Sequence, residues 1–510
     1  MSVARGMKAL ALALAAAHLL LVPLLGARRV PYPFALEWCE SSSLQQVQRI
    51  VAGRAVYAAP TLDYVAAAYG PLYYYASAPL ALLLPPGFLP LRAVSLGATL
   101  ASFLLLAAIA RHATRSREAA LLAAGLYAAT FHASGGWMDV ARVDALFLMF
   151  LLLGVFLLVA REGGAGALGA GLAIALAFFT KQTAVVPAAV MAAALLATDR
   201  RRLPWFVAGA ALPIAAGVFL LDRLTQGWYG YFSFRPHPLL RGRFVSFWTF
   251  DLPRTVPIAG ALGLAALAMA WQRRAADAEG ARRRVLLAGG VAALIATAYA
   301  GRLVSGAVAN ALMPAFAGAA LAFAVGAHDV LERARAAWPR AGAAAVAAAL
   351  VAQLALLSYD PRRELPTSAD RAAGERLVQT IAATPGRLLV PHHPYLLTRA
   401  GRPAHAEYST LFDVVSYGGG ETGRRLLDEA RAALEQGAYD AVFLDQAFML
   451  EAPLSRRYRP ARVLSETAGA FVPVSGAPLK PQSLWLRAEE VGAPARSSSS
   501  VPPGSASATR

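Results

Sequence analysis

The stretch LYYYASAPLALLLPPGFLP, residues 72–90, decides how the rest of the chain is threaded. Counted as a membrane span, it moves every later loop to the opposite side of the bilayer. It is a poor span. Pro79, Pro85 and Pro86 interrupt it, and about fifteen apolar residues lie outside those breaks, fewer than the roughly 20 that cross a bilayer as a helix. The segment is therefore expected to lie along the outer face as a juxtamembrane or re-entrant helix.

Apolar runs that do suit spans lie on both sides of it, at 7–27, 91–110, 118–135, 144–160, 165–179, 184–198, 203–221, 253–271, 285–300, 310–327 and 341–357. The expected fold is a polytopic α-helical membrane protein with about eleven transmembrane helices, a long first outer loop and a small C-terminal α/β domain. Composition excludes a string of soluble domains: 57% of the 510 residues are apolar and 15% charged, against about 45–50% and 25% for a soluble domain. The net charge of +18 comes from 48 Lys and Arg in small clusters between apolar runs. That is the pattern of topology signals, so no nucleic-acid partner is expected.

With 72–90 outside, the N-terminus and 111–118, 161–164, 199–203, 272–284 and 328–341 fall inside, where roughly one residue in three is basic, against roughly one in nine in the outer loops. The outer face then carries 28–70, 135–143, 180–183, 222–252, 301–309 and everything after Ser358. The first apolar run continues to Arg28 and Arg29 without a small-x-small cleavage site, so it reads as an uncleaved span. A single cysteine, Cys39, excludes an intramolecular disulfide.

The division expected is a transmembrane domain over 1–358, an extracytoplasmic α/β domain over 359–490 and a disordered Ser/Pro/Gly-rich tail over 491–510. Within the second domain, 369–383 and 423–436 have helical periodicity, and 387–390, 441–444 and 483–486 read as strands.

Polar residues that do not serve topology gather on the outer side. The first loop has Glu37-Trp38-Cys39-Glu40, then Tyr57, Asp63, Tyr69 and Tyr73. A carboxylate just beyond the first span can act as general base on a bound hydroxyl, if the fold holds it within reach; the blander reading is a solvated loop acid. The run 137–144 contains Asp139, Arg142 and Asp144, the last heading an apolar span where an ionised carboxylate is costly unless paired, or where it is an ordinary first-turn aspartate. Lys181, in a very short hairpin, either binds a lipid phosphate or snorkels to the interface. In the aromatic loop 222–252, Arg235, Arg241 and Arg243 suit a phosphate head group, although interfacial aromatic belts look the same without any function. There is no HExxH, CxxC or P-loop, so neither a structural zinc nor a nucleotide is expected.

One span, a long outer loop with acids just beyond it, a Gly-x-x-x-Tyr step at Gly53 and Tyr57, a Pro-Leu-Tyr-Tyr element in 69–75 and an Arg-x-Asp opening a later span resemble the C-type, polyprenyl-phosphate-dependent glycosyltransferases. The resemblance points to the bacterial branches related to protein O-mannosyltransferases and lipid A aminoarabinose transferases. It covers roughly 7–330, and Phe179-Thr180-Lys181 and 310–314, which open on Asn310, match further motifs of that family. The family's Asp-Glu pair falls here on Cys39-Glu40. Glu40 thus matches the second acid and Cys39 replaces the first, with Glu37 one turn away.

The resemblance implies transfer of a sugar from a polyprenyl-phosphate carrier to an acceptor hydroxyl at the outer face of a bacterial cytoplasmic (inner) membrane, by inverting displacement. Its base would be Glu40, ahead of Glu37, with Asp144 assisting. Arg142, Lys181, Arg235, Arg241, Arg243 and Arg302 would hold the phosphate, and Asp63, Tyr69, Tyr73, Asp139 and Asn310 would line the substrate site. No metal or other cofactor is implied. The acceptor would be a glycan, lipid or protein. Competing readings are a permease or flippase for lipid-linked sugars, disfavoured by the few charged residues at mid-span, and a non-catalytic subunit that binds glycan lipids.

Overall fold

The computed structural model describes residues 2–273, 278–337, 341–418, 420–445 and 449–491. The expected tail lies outside these residues apart from Val491. Helices α1 (Ser2–Arg29), α4 (Leu89–Thr114), α5 (Arg117–Ala129), α6 (Asp144–Ala160), α7 (Gly163–Thr180), α8 (Val185–Thr198), α9 (Leu203–Leu224), α13 (Pro257–Arg273), α14 (Ala278–Leu303), α15 (Met313–Ala337) and α16 (Ala341–Leu356) fall where spans are expected. Among the described residues six helices are long and apolar enough to cross a membrane, or up to eight if each of two bent helix pairs is one span, against the eleven expected. The shortfall is in length. Helix α5 ends at Ala129, and the segment beyond it holds Gly135 and Gly136 at φ of +71° and +69°, a conformation that glycine alone adopts freely.

Within 72–90 the chain forms α3 (Leu72–Leu83) and leaves the helix at Leu84, ahead of Pro85 and Pro86. Tyr73, Tyr74, Ser77 and Ala78 are buried, while Leu82 and Leu83 are exposed. It is too short to cross and lies against α2 (Glu40–Val51) and α4. Small residues let the long helices approach closely. A Cβ on Gly125 of α5 would stand 2.5 Å from that of Ala15 in α1, and one on Gly171 of α7 would stand 2.2 Å from the Phe206 carbonyl in α9.

The two ends of the bundle are built differently. At one end Lys8 lies 2.5 Å from Glu118, Arg282 3.3 Å from Asp199, Arg283 3.4 Å from Glu162 and Arg284 2.7 Å from Asp329, which joins the segments expected inside. At the other end lie the first loop and three short helices, α10 (Trp228–Ser233), α11 (Arg243–Ser246) and α12 (Leu252–Thr255).

After α16 come α17 (Ser368–Ala383), started by a Thr367/Asp370 capping box, then α18 (Tyr395–Arg399), α19 (Tyr408–Tyr417), α20 (Gly420–Glu435) and α21 (Glu451–Arg457). These helices accompany a sheet of order β1-β2-β4-β3, with β1 (Leu388–Leu389) parallel to β2 (Ala441–Leu444), and β4 (Ser483–Arg487) antiparallel to both β2 and β3 (Tyr458–Val463). Strand β3 was not expected. It is an edge strand exposed over all but Tyr458 and carries Pro460, so it lacks the alternating apolar signal of a half-buried strand. The sheet unit packs directly on the first loop, with Phe34 edge-on to Phe471 at 5.2 Å, and on the start of α4, with Phe88 edge-on to Tyr395 at 5.0 Å.

Candidate active site

Helix α2 starts one residue after Cys39, which places Glu40 in its first turn. The Glu40 carboxylate is fully buried and fully engaged. Arg92 of α4 donates to it from Nε (2.8 Å) and Nη2 (2.5 Å), and the Leu36, Glu37 and Ala141 backbone N–H groups add bonds of 2.7, 3.3 and 2.6 Å. Burial alone would raise its pKa, but Arg92 and the backbone donors outweigh that and hold it below the ordinary carboxylate range. Arg92 also donates to the carbonyls of Tyr32 (2.6 Å) and Phe34 (2.7 Å), so the pair pins the first loop to α4.

Glu37 is also buried, at 1% exposure, but is sparsely bonded. Its Oε2 accepts the Cys39 N–H (3.1 Å) and lies 4.0 Å from Arg142 Nε. Burial pushes its carboxyl up to about 8, with Arg142 opposing. Parallel bridging of Glu37 to Ser475, and the Ser475 N–H bonding the Leu36 carbonyl (2.9 Å), fix this turn against the C-terminal unit.

The segment that carries Arg142 is clasped by α4, through Thr99 to the Met138 carbonyl (2.5 Å) and Ser95 to the Arg142 carbonyl (3.3 Å). The Arg142 guanidinium donates to the Cys39 carbonyl (3.1 Å), and its centre lies 5.6 Å from the ring centroids of both Tyr69 and Trp137. Lys181 Nζ is 2.8 Å from Asp144 Oδ1 and 5.7 Å from the Tyr69 ring centroid. Gly70 permits this packing, since a Cβ there would stand 2.2 Å from the Phe179 carbonyl oxygen. Glu37, Arg142, Tyr69, Lys181 and Asp144 thus form one continuous cluster. Asn310, which precedes α15, is buried and its Oδ1 has no hydrogen-bond partner.

Other expected residues have different surroundings. Asp139 is bound by Arg29, with Nε at 3.0 and 2.8 Å from its two oxygens, and Arg29 also donates to the Glu364 carbonyl (2.5 Å). Asp139 is therefore part of the joint between α1 and the C-terminal unit. Tyr73 donates to the Leu91 carbonyl (2.9 Å) inside the core, and Asp63 is 74% exposed beside Arg387. Arg243 donates to the carbonyls of Arg302 (3.0 Å), Val304 (3.3 Å) and Ala307 (2.9 Å), while Arg302 pairs with Asp251 at 2.9 Å, so the two arginines tie the loops 222–252 and 301–309 to each other. Arg241 is exposed. Arg235 is buried against the Tyr231 and Phe232 rings, and its Nε and Nη2 lack partners. Arg92, an arginine within an apolar helix, is by itself a sequence signal of a specific partner.

No model of a known protein family matches the sequence, and no curated protein matches it. Solved structures do. ArnT from Cupriavidus metallidurans bound to undecaprenyl phosphate aligns with a TM-score of 0.53 at 13% identity, covering 94% of this chain and 98% of that one. The apo state of the same protein aligns with a TM-score of 0.54 at the same identity and coverage. The oligosaccharyltransferase AglB from Archaeoglobus fulgidus, in complex with an inhibitory peptide and a dolichol-phosphate, aligns at 0.48 and 12% identity, covering 85% of this chain and 69% of that one. The chain therefore has the fold of ArnT.

Proposed function

We propose that this protein transfers a sugar from a polyprenyl-phosphate carrier to an acceptor hydroxyl, with Glu37 as general base. The observation that carries the reading is the cluster itself: a sparsely bonded, buried carboxyl 4.0 Å from Arg142, with Lys181 bordering the same Tyr69 ring. Undecaprenyl phosphate is the ligand named for the ArnT structure that shares the fold.

In the step proposed, Glu37 takes the acceptor proton as the oxygen attacks the anomeric carbon. The bond from that carbon to the phosphate oxygen breaks, and the carrier phosphate leaves with its charge met by Arg142 and Lys181. One displacement inverts the anomeric centre. Asp144 positions Lys181, and the paired Glu40 and Arg92 position the loop that carries Glu37. Arg235, with two unpartnered buried nitrogens, is a further cation for the carrier.

The convergence of basic segments at one end of the bundle supports placing that end in the cytoplasm of a bacterial cell and the site, together with residues 359–490, on the outer side. The test is purified protein in liposomes with radiolabelled polyprenyl-phosphate sugars and a panel of acceptors. Label should leave the carrier with wild-type protein and stay on it with Glu37→Gln. Label that stays on the carrier with wild-type protein, across all sugars and acceptors, overturns the reading.

A further inference from the structure

Strands β1 and β2 run parallel, and the residues beyond their carboxyl ends are polar: His392 and His393 follow β1, and Asp445 follows β2. In open α/β sheets, ligands bind in the crevice beyond the carboxyl ends of the strands. Here that edge faces the candidate active site. His392 Nδ1 lies 2.8 Å from Asp445 Oδ2, His393 Nε2 lies 3.6 Å from Oδ1, and all three side chains are buried. Trp38, the residue after Glu37, stands edge-on to His392 with ring centroids 5.8 Å apart, and the Tyr408 ring lies 4.3 Å from His392.

Glu407 adds the feature that the fold alone does not explain. It caps α19 through Oε2, which accepts from the Ser409 N–H (3.0 Å), the Thr410 N–H (3.3 Å) and the Ser409 hydroxyl. Its Oε1 is buried and has no partner, although buried polar atoms are ordinarily bonded. The Glu407 N–H bonds Gln45 Oε1 of α2 (3.3 Å), so Glu407 is held against the helix that Glu40 opens. Among the described residues no three His, Cys, Asp or Glu side chains are gathered to hold a metal ion. Trp38, Tyr408 and Ser409 are half-buried and give the cluster its open side.

Aromatic rings that cover an apolar face, with carboxylate and imidazole groups beside them, fit a sugar ring, which presents C–H groups on its faces and hydroxyls around its edge. We infer that Trp38, His392, Glu407 and Asp445 form a subsite for a sugar residue of the acceptor, so that the acceptor of the proposed transfer is a glycan. This rests on the transfer reading for its role, but not for the existence of the subsite.

The test uses the purified full chain and ligand-observed NMR with the methyl glycosides of glucose, galactose, mannose and xylose, alongside binding of polyprenyl phosphate. At least one glycoside should bind, and its affinity should fall at least tenfold in Glu407→Gln and in Trp38→Ala, the loss expected when a hydroxyl-reading group is removed. Glu407→Gln keeps an oxygen for the α19 cap, and retained polyprenyl-phosphate binding shows that each variant is folded. No bound glycoside, or binding unchanged in both variants, overturns the subsite while the transfer reading stands. Glycoside binding without polyprenyl-phosphate binding supports the subsite and overturns the transfer reading instead.

Discussion

Arg92 grips Glu40 with two hydrogen bonds, Nε to Oε1 at 2.8 Å and Nη2 to Oε2 at 2.5 Å, and neither side chain reaches solvent. The acid three residues earlier, Glu37, has no such partner. Of two buried carboxylates on one turn, Glu40 is fully paired within the protein, while Glu37 keeps one backbone hydrogen bond and an arginine at 4.0 Å.

Breaking a buried pair strands a charge, at a cost of about 3–5 kcal/mol. Arg92→Met should therefore lower the thermal midpoint in detergent sharply, and the double variant Arg92→Met with Glu40→Gln should recover part of the loss. Equal midpoints for the single variant and wild type would show that the pair does not hold the loop.

Glu37 should behave oppositely. Its carboxyl is held at about 8, above the 4.5 of an unperturbed glutamate, so folding takes up a proton between those values and stability declines as pH rises through that window. Glu37→Gln removes this cost. The variant should melt above wild type at pH 8 and close to it at pH 5, as read by thermal unfolding at both pH values.

The same ionisation sets the rate profile. A base must be ionised to accept the acceptor's proton, so kcat/KM should climb by nearly tenfold per pH unit below about 8 and level off above it. A profile flat from pH 6 to 9 would point away from Glu37.

Arg142→Gln and Lys181→Gln should each lower turnover at saturating donor by tenfold or more, about 1.4 kcal/mol, because a leaving phosphate concentrates negative charge in the transition state. Arg243→Gln should instead affect folded yield and leave turnover per folded molecule nearly unchanged, since its guanidinium is taken up by three carbonyls of the neighbouring loop. Single-turnover rates of the three purified variants separate these outcomes.

Sidedness is tested by cysteine reporters in a Cys39→Ala background. Cysteine at Ser116 should be shielded from an impermeant thiol reagent in intact cells, and cysteine at Ser246 or Glu421 should be labelled. Labelling at Ser116 would invert the topology.

The long helices were legible because apolar runs and basic clusters are local signals, and the prolines of 72–90 marked α3 correctly as too short to cross. Helix α5 was overextended because its apolar composition continues past Ala129, whereas the chain turns at Gly135 and Gly136. The cluster of Arg142, Asp144 and Lys181 was legible as charge placed beside apolar spans. The full pairing of Glu40 was not, because it depends on Arg92, far away in sequence, and on the Ala141 N–H. The partners of Arg243, three loop carbonyls, and of Arg302, the Asp251 carboxylate, carry no sequence signature that marks them as partners. Glu407 and His392 were hidden because only the folded sheet brings them against Trp38 and Cys39.

The most direct measurement is sugar transfer from a radiolabelled polyprenyl-phosphate donor by Glu37→Gln, with donor binding measured on the same preparation. Loss of a general base predicts a rate lower by roughly 10²–10⁴-fold with donor binding retained. A Glu37→Gln protein that transfers sugar at the wild-type rate would contradict the assignment of Glu37 as the base.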